Sequence, residues 1–269
     1  MDKIFLSFTI LILAASFLPG CGPGAPLPPL PQAPGQAGPT ALVYQGEGSC
    51  VEGCSEAAAE VARRAGLPVR YVSAAQITPE LLAGAVVWIQ PGGDAIQAAH
   101  AMGPTRLAMI SQYVAAGGSY LGFCAGAFLV DGDISEAGDG STWGMGILPG
   151  STDDYLPGDQ DSRMLRIQWQ ADERWMYFQA GASITFNSPG AGEVLARYPD
   201  QRAAAVTFVY GDGKVAISGV HPEAPDWWKK ADHLVDPDGA DFAYSDELLS
   251  RVRDHRPSGA PHGRQDSGK

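Results

Sequence analysis

The feature that most constrains the fold of this chain is an alternation of short apolar runs with segments rich in helix formers. Four apolar runs predict strands, at 41–44, 69–72, 85–90 and 119–123. Two segments between them predict helices, at 55–65, with Ser55 as the N-cap, and at 106–116. Because strand–helix–strand order places consecutive strands parallel, the sequence predicts an α/β fold with a mostly parallel sheet flanked by helices.

The pattern changes beyond residue 160, where apolar runs become shorter and lie closer together. They predict further strands, some paired antiparallel, at 164–169, 176–178, 183–186, 194–198, 204–210 and 214–218. A final helix is predicted at 241–253. The C-terminal half is therefore expected to add antiparallel strands to the sheet.

The first 20 residues have the composition of a signal peptide. Lys3 is followed by the apolar run 4–18, which is too short to span a membrane comfortably. The run ends in Leu18-Pro19-Gly20-Cys21, which resembles a bacterial lipoprotein signal and makes Cys21 the predicted lipidation site. The alternative is ordinary cleavage near Gly20 with Cys21 left free.

The rest of the chain divides by composition into three parts. Residues 21–40 combine the lipidated Cys21 with an uncharged linker rich in Pro and Gly, which is typical of an extended spacer. Residues 41–255 are long enough for one domain, and residues 256–269 predict a disordered tail. The predicted location is the bacterial cell envelope, lipid-anchored and extracytoplasmic, on the periplasmic side or in the outer membrane.

Charge excludes two classes of partner. The formal net charge is −12, whereas nucleic acids and anionic membrane surfaces are bound through basic patches. No nucleic-acid partner is expected, and the lipid anchor is the one predicted contact with a membrane.

A cysteine at a predicted strand-to-helix turn is the sharpest chemical feature. Cys124 follows the strand 119–123, with Gly122 and Gly126 two residues to either side. This G-x-C-x-G arrangement follows the logic of the G-x-S-x-G nucleophile elbow, in which small neighbours allow a sharp turn and the approach of substrate. The following helix N-terminus would favour the thiolate. The alternative is a buried structural cysteine.

A thiol nucleophile needs a base, and the segment 218–223 supplies one. His221 follows the predicted strand 214–218, and Glu223 lies two residues further on. In an extended loop these two side chains point to the same side, so Glu223 can orient His221. The sequence therefore predicts Cys124, His221 and Glu223 as a catalytic triad.

A third strand end supplies candidate oxyanion donors. Pro91, Gly92 and Gly93 follow the strand 85–90. Their backbone N–H groups, together with that of Ala125 after the nucleophile, predict an oxyanion hole formed by Gly93 and Ala125, with Gly92 as a further candidate. An ordinary turn is the alternative for this segment.

Together these motifs resemble the class I glutamine amidotransferase-like superfamily. The N-terminal domain of biotin–protein ligases, in a stand-alone bacterial form, is the more similar family. The order and spacing of five segments carry the resemblance: 41–48, 89–95, 113–128, 147–151 and 218–223. It implies a flavodoxin-like sheet with the site at the carboxyl ends of the strands.

The resemblance also implies function. It carries Cys124, His221 and Glu223 over as the triad, and it places Tyr44, Gly46 and Gly48, with Asp94, at the mouth of the cleft as candidate substrate-binding residues. The implied chemistry is thiol-dependent hydrolysis or transfer of a carboxamide or related carbonyl, on a small-molecule or cell-envelope amide of unknown identity. No ammonia-accepting synthase domain is expected in this chain, and no ligation of biotin is implied.

The remaining cysteines predict a disulfide. In an oxidising compartment Cys50 and Cys54 would pair and leave Cys124 free, provided that a bent loop joins them. Two free thiols or a metal pair are the alternatives, but zinc needs two more ligands. No metal and no organic cofactor is expected.

Two other functions are compatible with this sequence. One is a non-catalytic envelope binding or sensor module on the same fold, and the other is a redox sensor that links Cys124 to Cys50 or Cys54. Trp227 and Trp228, soon after Glu223, predict packing in the core or at the rim of the cleft.

Overall fold

Residues 40–51, 53–135 and 142–253 are described by the structure, a computed structural model. They all belong to a unit that begins at Ala37. The predicted signal peptide (1–20), the lipidation site Cys21, the linker up to residue 39 and the tail 256–269 lie outside the described residues. Within these ranges no helix combines the length and hydropathy needed to cross a membrane.

Five parallel strands form one half of the sheet. They are β1 (Thr40–Tyr44), β2 (Val69–Val72), β3 (Ala85–Gln90), β4 (Ser119–Phe123) and β11 (Gly213–Ser218). Their order is β2-β1-β3-β4-β11, which is the flavodoxin-like order. The predicted α/β class is confirmed.

Six further strands form the antiparallel half. They are β5 (Gly150–Asp154), β6 (Arg163–Trp169), β7 (Asp172–Phe178), β8 (Ala182–Phe186), β9 (Glu193–Arg197) and β10 (Ala203–Tyr210). The sheet continues from β11 through β10, β9 and β6 to β7, and β8 joins β5 to β10. The C-terminal half therefore contributes antiparallel strands, as predicted.

Helices cover both faces of the parallel strands. They are α1 (Cys54–Arg64), α2 (Pro79–Ala83), α3 (Ala95–Ala115), the single turn α4 (Ala125–Phe128), α5 (Asp226–Ala231) and α6 (Phe242–Arg253). A 3-10 turn spans Ala74–Gln76. Residues of α1 and α6 share one buried cluster with the sheet, and residues of α3 share the other. Burial on both faces explains why β4 has no exposed residue.

Two helix predictions were wrong in detail. Ser55 does not cap α1: the helix begins at Cys54 after Gly53, and the Ser55 hydroxyl donates to the carbonyl of Tyr44 at 2.8 Å. The predicted helix 106–116 is the second half of α3, which starts at Ala95 and is kinked at Gly103, where φ is 65°. Gly103 and Pro104 lie at the kink, and because this pair is typical of a helix boundary, the first half of α3 was not predicted from the sequence.

The order of the strands decides where the chemical groups lie. β4 pairs with β3 on one side and with β11 on the other, all parallel. The residues that follow these three strands, Gly92 and Gly93, Cys124 and His221, therefore emerge at one edge of the sheet. This edge is where open α/β sheets bind their ligands.

Candidate active site

Cys124 occupies a strained turn between β4 and α4. Its φ is 48° and its ψ is −104°, a backbone conformation that residues other than glycine rarely adopt. Its backbone N–H donates to the carbonyl of Ser218 at the end of β11, at 2.8 Å. The turn is so tight that a Cβ on Gly122 would lie 2.4 Å from the carbonyl oxygen of Gly126. The two glycines therefore allow the elbow that the sequence predicted.

His221 and Glu223 form a buried pair beside the cysteine. Nδ1 of His221 lies 2.8 Å from Oε1 of Glu223, and both side chains are at most 4% exposed. The backbone N–H of His221 donates to the carbonyl of Tyr177 at 2.9 Å, which fixes the loop to the end of β7. The structure thus brings together the three residues that the sequence singled out.

Electrostatics favour a charged His221. Burial by itself would lower the pKa of His221, but the carboxylate of Glu223, the neighbouring Cys124 and the hydrogen bond with Glu223 raise it to about 10. Oε2 of Glu223 is buried and has no hydrogen-bond partner in the described part of the chain. An imidazolium at neutral pH is therefore the group that balances this carboxylate.

Gly92 lies next to both His221 and Cys124. A Cβ at this position would lie 2.9 Å from Cε1 of His221 and 3.6 Å from Cβ of Cys124. A side chain here would displace the imidazole ring. The absence of a side chain at Gly92 therefore lets the ring approach the sulfur.

The predicted oxyanion donors lie at the same edge. Gly93 has a φ of 136° and lines the cleft. Ala125 is the first residue of α4, and a helix leaves its first N–H groups without an intrahelical acceptor. α4 is only four residues long, so its dipole is much smaller than the sequence suggested.

The cysteines at the entrance are joined. Cys50 and Cys54 form a disulfide with their Cα atoms 5.4 Å apart, and among the described cysteines Cys124 is free. The bond bends the loop immediately before α1. Both half-cystines line the cleft, so the disulfide forms part of its wall.

The residues predicted at the mouth of the cleft divide into two groups. Gly48 and Asp94 line the cleft, and the Asp94 side chain also accepts the N–H of Gln97 at 2.9 Å as the cap of α3. Tyr44 and Gly46 do not line it. The ring of Tyr44 is fully buried, and its hydroxyl donates to the carbonyl of Glu47 at 2.6 Å. Burial, with the charge of Glu47 as the lesser cause, raises the pKa of Tyr44 to about 12.

The sequence identified only part of a further wall of the cleft, namely Trp227 and Trp228. The cleft has a volume of about 480 Å³, and this wall contains Tyr177, Gln179, Trp227, Trp228 and Asp232. Trp228 is buried, whereas Trp227 is 49% exposed at the rim. The adjacent tryptophans after Glu223 were visible in the sequence. Tyr177 carried no local signal because it enters from the antiparallel half.

No metal-binding arrangement is present in the ranges 40–51, 53–135 and 142–253: they contain no group of three His, Cys, Asp or Glu side chains that could hold an ion.

Comparison with known proteins confirms the resemblance seen in the sequence. Residues 40–139 match the sequence profile of the biotin–protein ligase N-terminal domain. The biotin–protein ligase of Schizosaccharomyces pombe is 27% identical over 179 residues, a match that covers 58% of this chain and 28% of the ligase. The chain therefore spans less than a third of that relative.

Solved structures show the same fold. A glutamine amidotransferase matches with a TM-score of 0.53 and 20% identity over 71% of this chain and 100% of its own. A cytoplasmic protein of Salmonella typhimurium matches with a TM-score of 0.53 and 14% identity, covering 79% of this chain and 98% of its own. The chain has a glutamine amidotransferase-like fold and is similar to the biotin–protein ligase N-terminal domain.

Proposed function

We propose that this protein is a cysteine-dependent amide hydrolase or amidotransferase-like enzyme that attacks a carboxamide or related carbonyl. One observation carries the proposal: a free cysteine on a strained turn shares a cleft with a neighbouring histidine that is itself paired with a buried carboxylate. A nucleophile, a base and an orienting group in this sequence of contacts form the arrangement that activates a thiol.

In the proposed mechanism the reacting state of the site is an ion pair. With its pKa raised to about 10, His221 holds a proton at neutral pH. Nδ1 faces Glu223, so the proton directed at the sulfur is on Nε2. The imidazolium stabilises the thiolate of Cys124, and the thiolate is the nucleophilic form.

Acylation follows from this geometry. The thiolate of Cys124 attacks the carbonyl carbon, a C–S bond forms, and the oxygen takes the negative charge beside the N–H groups of Gly93 and Ala125. When the tetrahedral intermediate collapses, the C–N bond breaks and Nε2 of His221 gives its proton to the leaving nitrogen. The product is a thioester and a neutral His221.

Release of the acid reverses the proton movement. Neutral His221 takes a proton from water, whose oxygen attacks the thioester carbonyl. The C–S bond breaks, the carboxylic acid leaves, and the thiolate–imidazolium pair is restored. A nucleophilic amine in place of water would make the same site a transferase.

The proposed location is the extracytoplasmic face of the cell envelope, with the protein anchored through a lipid on Cys21. The apolar run that ends in Cys21 supports it. The Cys50–Cys54 disulfide gives independent support, because disulfides persist in oxidising compartments.

Alkylation of Cys124 tests the enzymatic proposal directly. The protein is treated with iodoacetamide at pH 6 and at pH 8, and modification of Cys124 is followed by mass spectrometry. We expect Cys124 to react faster than an unfolded-peptide thiol at both pH values. Glu223→Gln should slow the reaction at pH 6, because the variant loses the carboxylate that stabilises the imidazolium beside the thiolate.

The controls separate reactivity from folding. Cys124→Ala should remove the labelled peptide, and circular dichroism checks that Glu223→Gln is folded. A Cys124 that reacts no faster than the peptide thiol at neutral pH would overturn the proposal and favour a non-catalytic binding module on the same fold.

A further inference from the structure

The charges of the cleft are of one sign apart from His221. Of the described residues that line it, Asp94 and Asp232 are acidic, and none is a lysine or arginine. Neither carboxylate forms a salt bridge with a described residue. One oxygen of Asp94 accepts the N–H of Gln97, and Oδ2 of Asp232 accepts the hydroxyl of Tyr177 at 2.5 Å. Each carboxylate keeps a second oxygen for a ligand.

Three aromatic rings line the same cleft as Asp232, and that of Tyr177 carries the hydroxyl that donates to this carboxylate. The rings of Trp227 and Trp228 meet at 89° with centroids 6.0 Å apart, and the ring of Tyr177 is 5.6 Å from that of Trp228. All three residues line the cleft that contains Cys124. Perpendicular aromatic faces combined with a carboxylate are the arrangement that binds ammonium groups, through cation–π attraction within about 6 Å of a ring centroid.

Two of these aromatic rings, those of Trp228 and Tyr177, lie beside the proposed base His221. The ring of Trp228 lies 5.5 Å from that of His221, and the ring of Tyr177 lies 5.7 Å from it. A ligand whose carbonyl meets the sulfur of Cys124 therefore places its neighbouring atoms against these rings. Trp227 has the exposed fraction that a rim contact requires.

We propose that the substrate class is a cationic amide: a carboxamide or related carbonyl compound that carries a protonated amine or quaternary ammonium group near the bond to be cleaved and has no net negative charge. The cation lies against Trp227, the exposed ring of the three, and is paired with Asp232, and Asp94 adds a second negative charge to the same cleft. This inference rests on the proposed function and deepens it.

Charged thiol reagents test the inference without knowledge of the substrate. Three methanethiosulfonates are compared, one with a trimethylammonium-ethyl group, one with a sulfonate-ethyl group and one with a neutral methyl group. In each case the thiolate of Cys124 attacks the sulfenyl sulfur, forms a mixed disulfide and displaces methanesulfinate. Rates at Cys124 are measured by mass spectrometry of the full chain and divided by the rates of an unfolded-peptide thiol.

The measured quantity is the ratio of the labelling rate of the cationic reagent to that of the anionic reagent. We expect this ratio to be about tenfold larger at Cys124 than at the peptide thiol, in line with a cation–π contact supplemented by a carboxylate. Asp94→Asn with Asp232→Asn should remove most of this preference. Asn still accepts the hydrogen bonds from Gln97 and Tyr177, so the fold is retained. Trp227→Ala should also reduce it.

Matched variants control for the net charge and for loss of a surface tryptophan. Glu80→Gln with Asp153→Asn removes the same amount of charge outside the cleft, and Trp143→Ala removes a tryptophan that does not line it. Both should keep the preference of the unmodified protein. A preference that these controls abolish equally would be a property of the whole surface and would overturn the inference.

The reagents also distinguish failure of the inference from failure of the proposed function. If the neutral reagent labels Cys124 quickly but the cationic and anionic reagents show the peptide ratio, the cationic substrate class is wrong and the reactive thiol remains. If the neutral reagent labels Cys124 more slowly than the peptide, the proposed function is wrong and the inference falls with it.

Discussion

At the scale of single residues, the site depends on one buried charge pair. Glu223 has no described partner other than His221 for its carboxylate, and an unpaired buried charge is strongly destabilising. The proton on His221 therefore serves two purposes, since it stabilises the fold and prepares the thiolate. Removal of either partner should affect both.

The pH dependence of stability follows from the direction of the His221 pKa shift. Its folded-state pKa of about 10 lies above the unfolded value of about 6.5. The stabilisation is complete below the unfolded value and is lost as pH rises through the folded one. Cys124→Ala removes the contribution of Cys124 to this shift and keeps that of Glu223, so we expect the free energy of unfolding of this variant to fall as pH rises above about 7, by at most about 1.4 kcal/mol per unit.

Urea denaturation under non-reducing conditions measures this effect. The control is Cys124→Ala combined with His221→Gln, which keeps a hydrogen-bond donor for Glu223 but cannot titrate. Its unfolding free energy should change less over the same range. Parallel pH profiles for the two variants would show that His221 is not protonated in the folded state.

At the scale of elements, three parallel strands and the turns that follow them define the site. The turns after β3, β4 and β11 each carry a group with a different chemical role. The hydrogen bond from Cys124 to Ser218 joins the turn after β4 to the end of β11. The spacing between these turns is fixed by the sheet. A small change in one turn therefore changes the geometry of the other two.

Gly92→Ala tests this coupling. Its Cβ would lie 2.9 Å from Cε1 of His221, so the ring must move away from the sulfur. We expect alkylation of Cys124 to slow by roughly tenfold to a hundredfold, because catalytic groups displaced by about 1 Å lose activity on that scale. The measurement is the rate of iodoacetamide labelling, with thermal unfolding as a check that the variant is folded.

Gly84→Ala is the matched control for that variant. At Gly84 a Cβ would have its nearest neighbour, the carbonyl oxygen of Leu81, at 3.6 Å, and φ is −87°. This substitution should leave the labelling rate unchanged. Equal effects of both alanines would mean that Gly92 has no special relation to the pair of His221 and Cys124.

At the scale of the whole molecule, the last helix completes the core. Leu248, Leu249 and Val252 of α6 are fully buried, and Arg64 of α1 pairs with Asp246 at 2.7 Å. α6 also covers β4 and β11 from one face. The strands that carry the nucleophile and the base therefore depend on a helix far from them along the chain.

Truncation tests this dependence and the predicted domain boundaries together. We expect a chain of residues 40–255 to unfold at the same temperature as a chain that starts at Cys21 and ends at Lys269. A chain that ends at Asp241 should not fold cooperatively, since loss of a single buried leucine costs roughly 2–5 kcal/mol. Circular dichroism during heating measures both, and an unchanged unfolding temperature without α6 would contradict the expectation.

The sequence by itself determined the order of strands and helices along the chain in the parallel half of the fold. It also determined which chemical groups follow those strands. Apolar runs that stop at Gly92, Cys124 and the residues before His221 are local patterns, and parallel strands expose their carboxyl ends at one edge regardless of what else surrounds them. For this reason the three chemical groups could be chosen before the fold was known.

Only the tertiary structure decided what faces those groups. Tyr177 reaches His221 because the antiparallel strands continue the sheet from β11 to β7 and bring its end back to the loop after β11. Tyr44 is buried beneath its loop instead of lining the cleft, and α3 starts before its kink. These arrangements depend on pairings between residues distant along the chain, which the local hydrophobic pattern does not encode, because it records how buried a residue is and not which residue it meets.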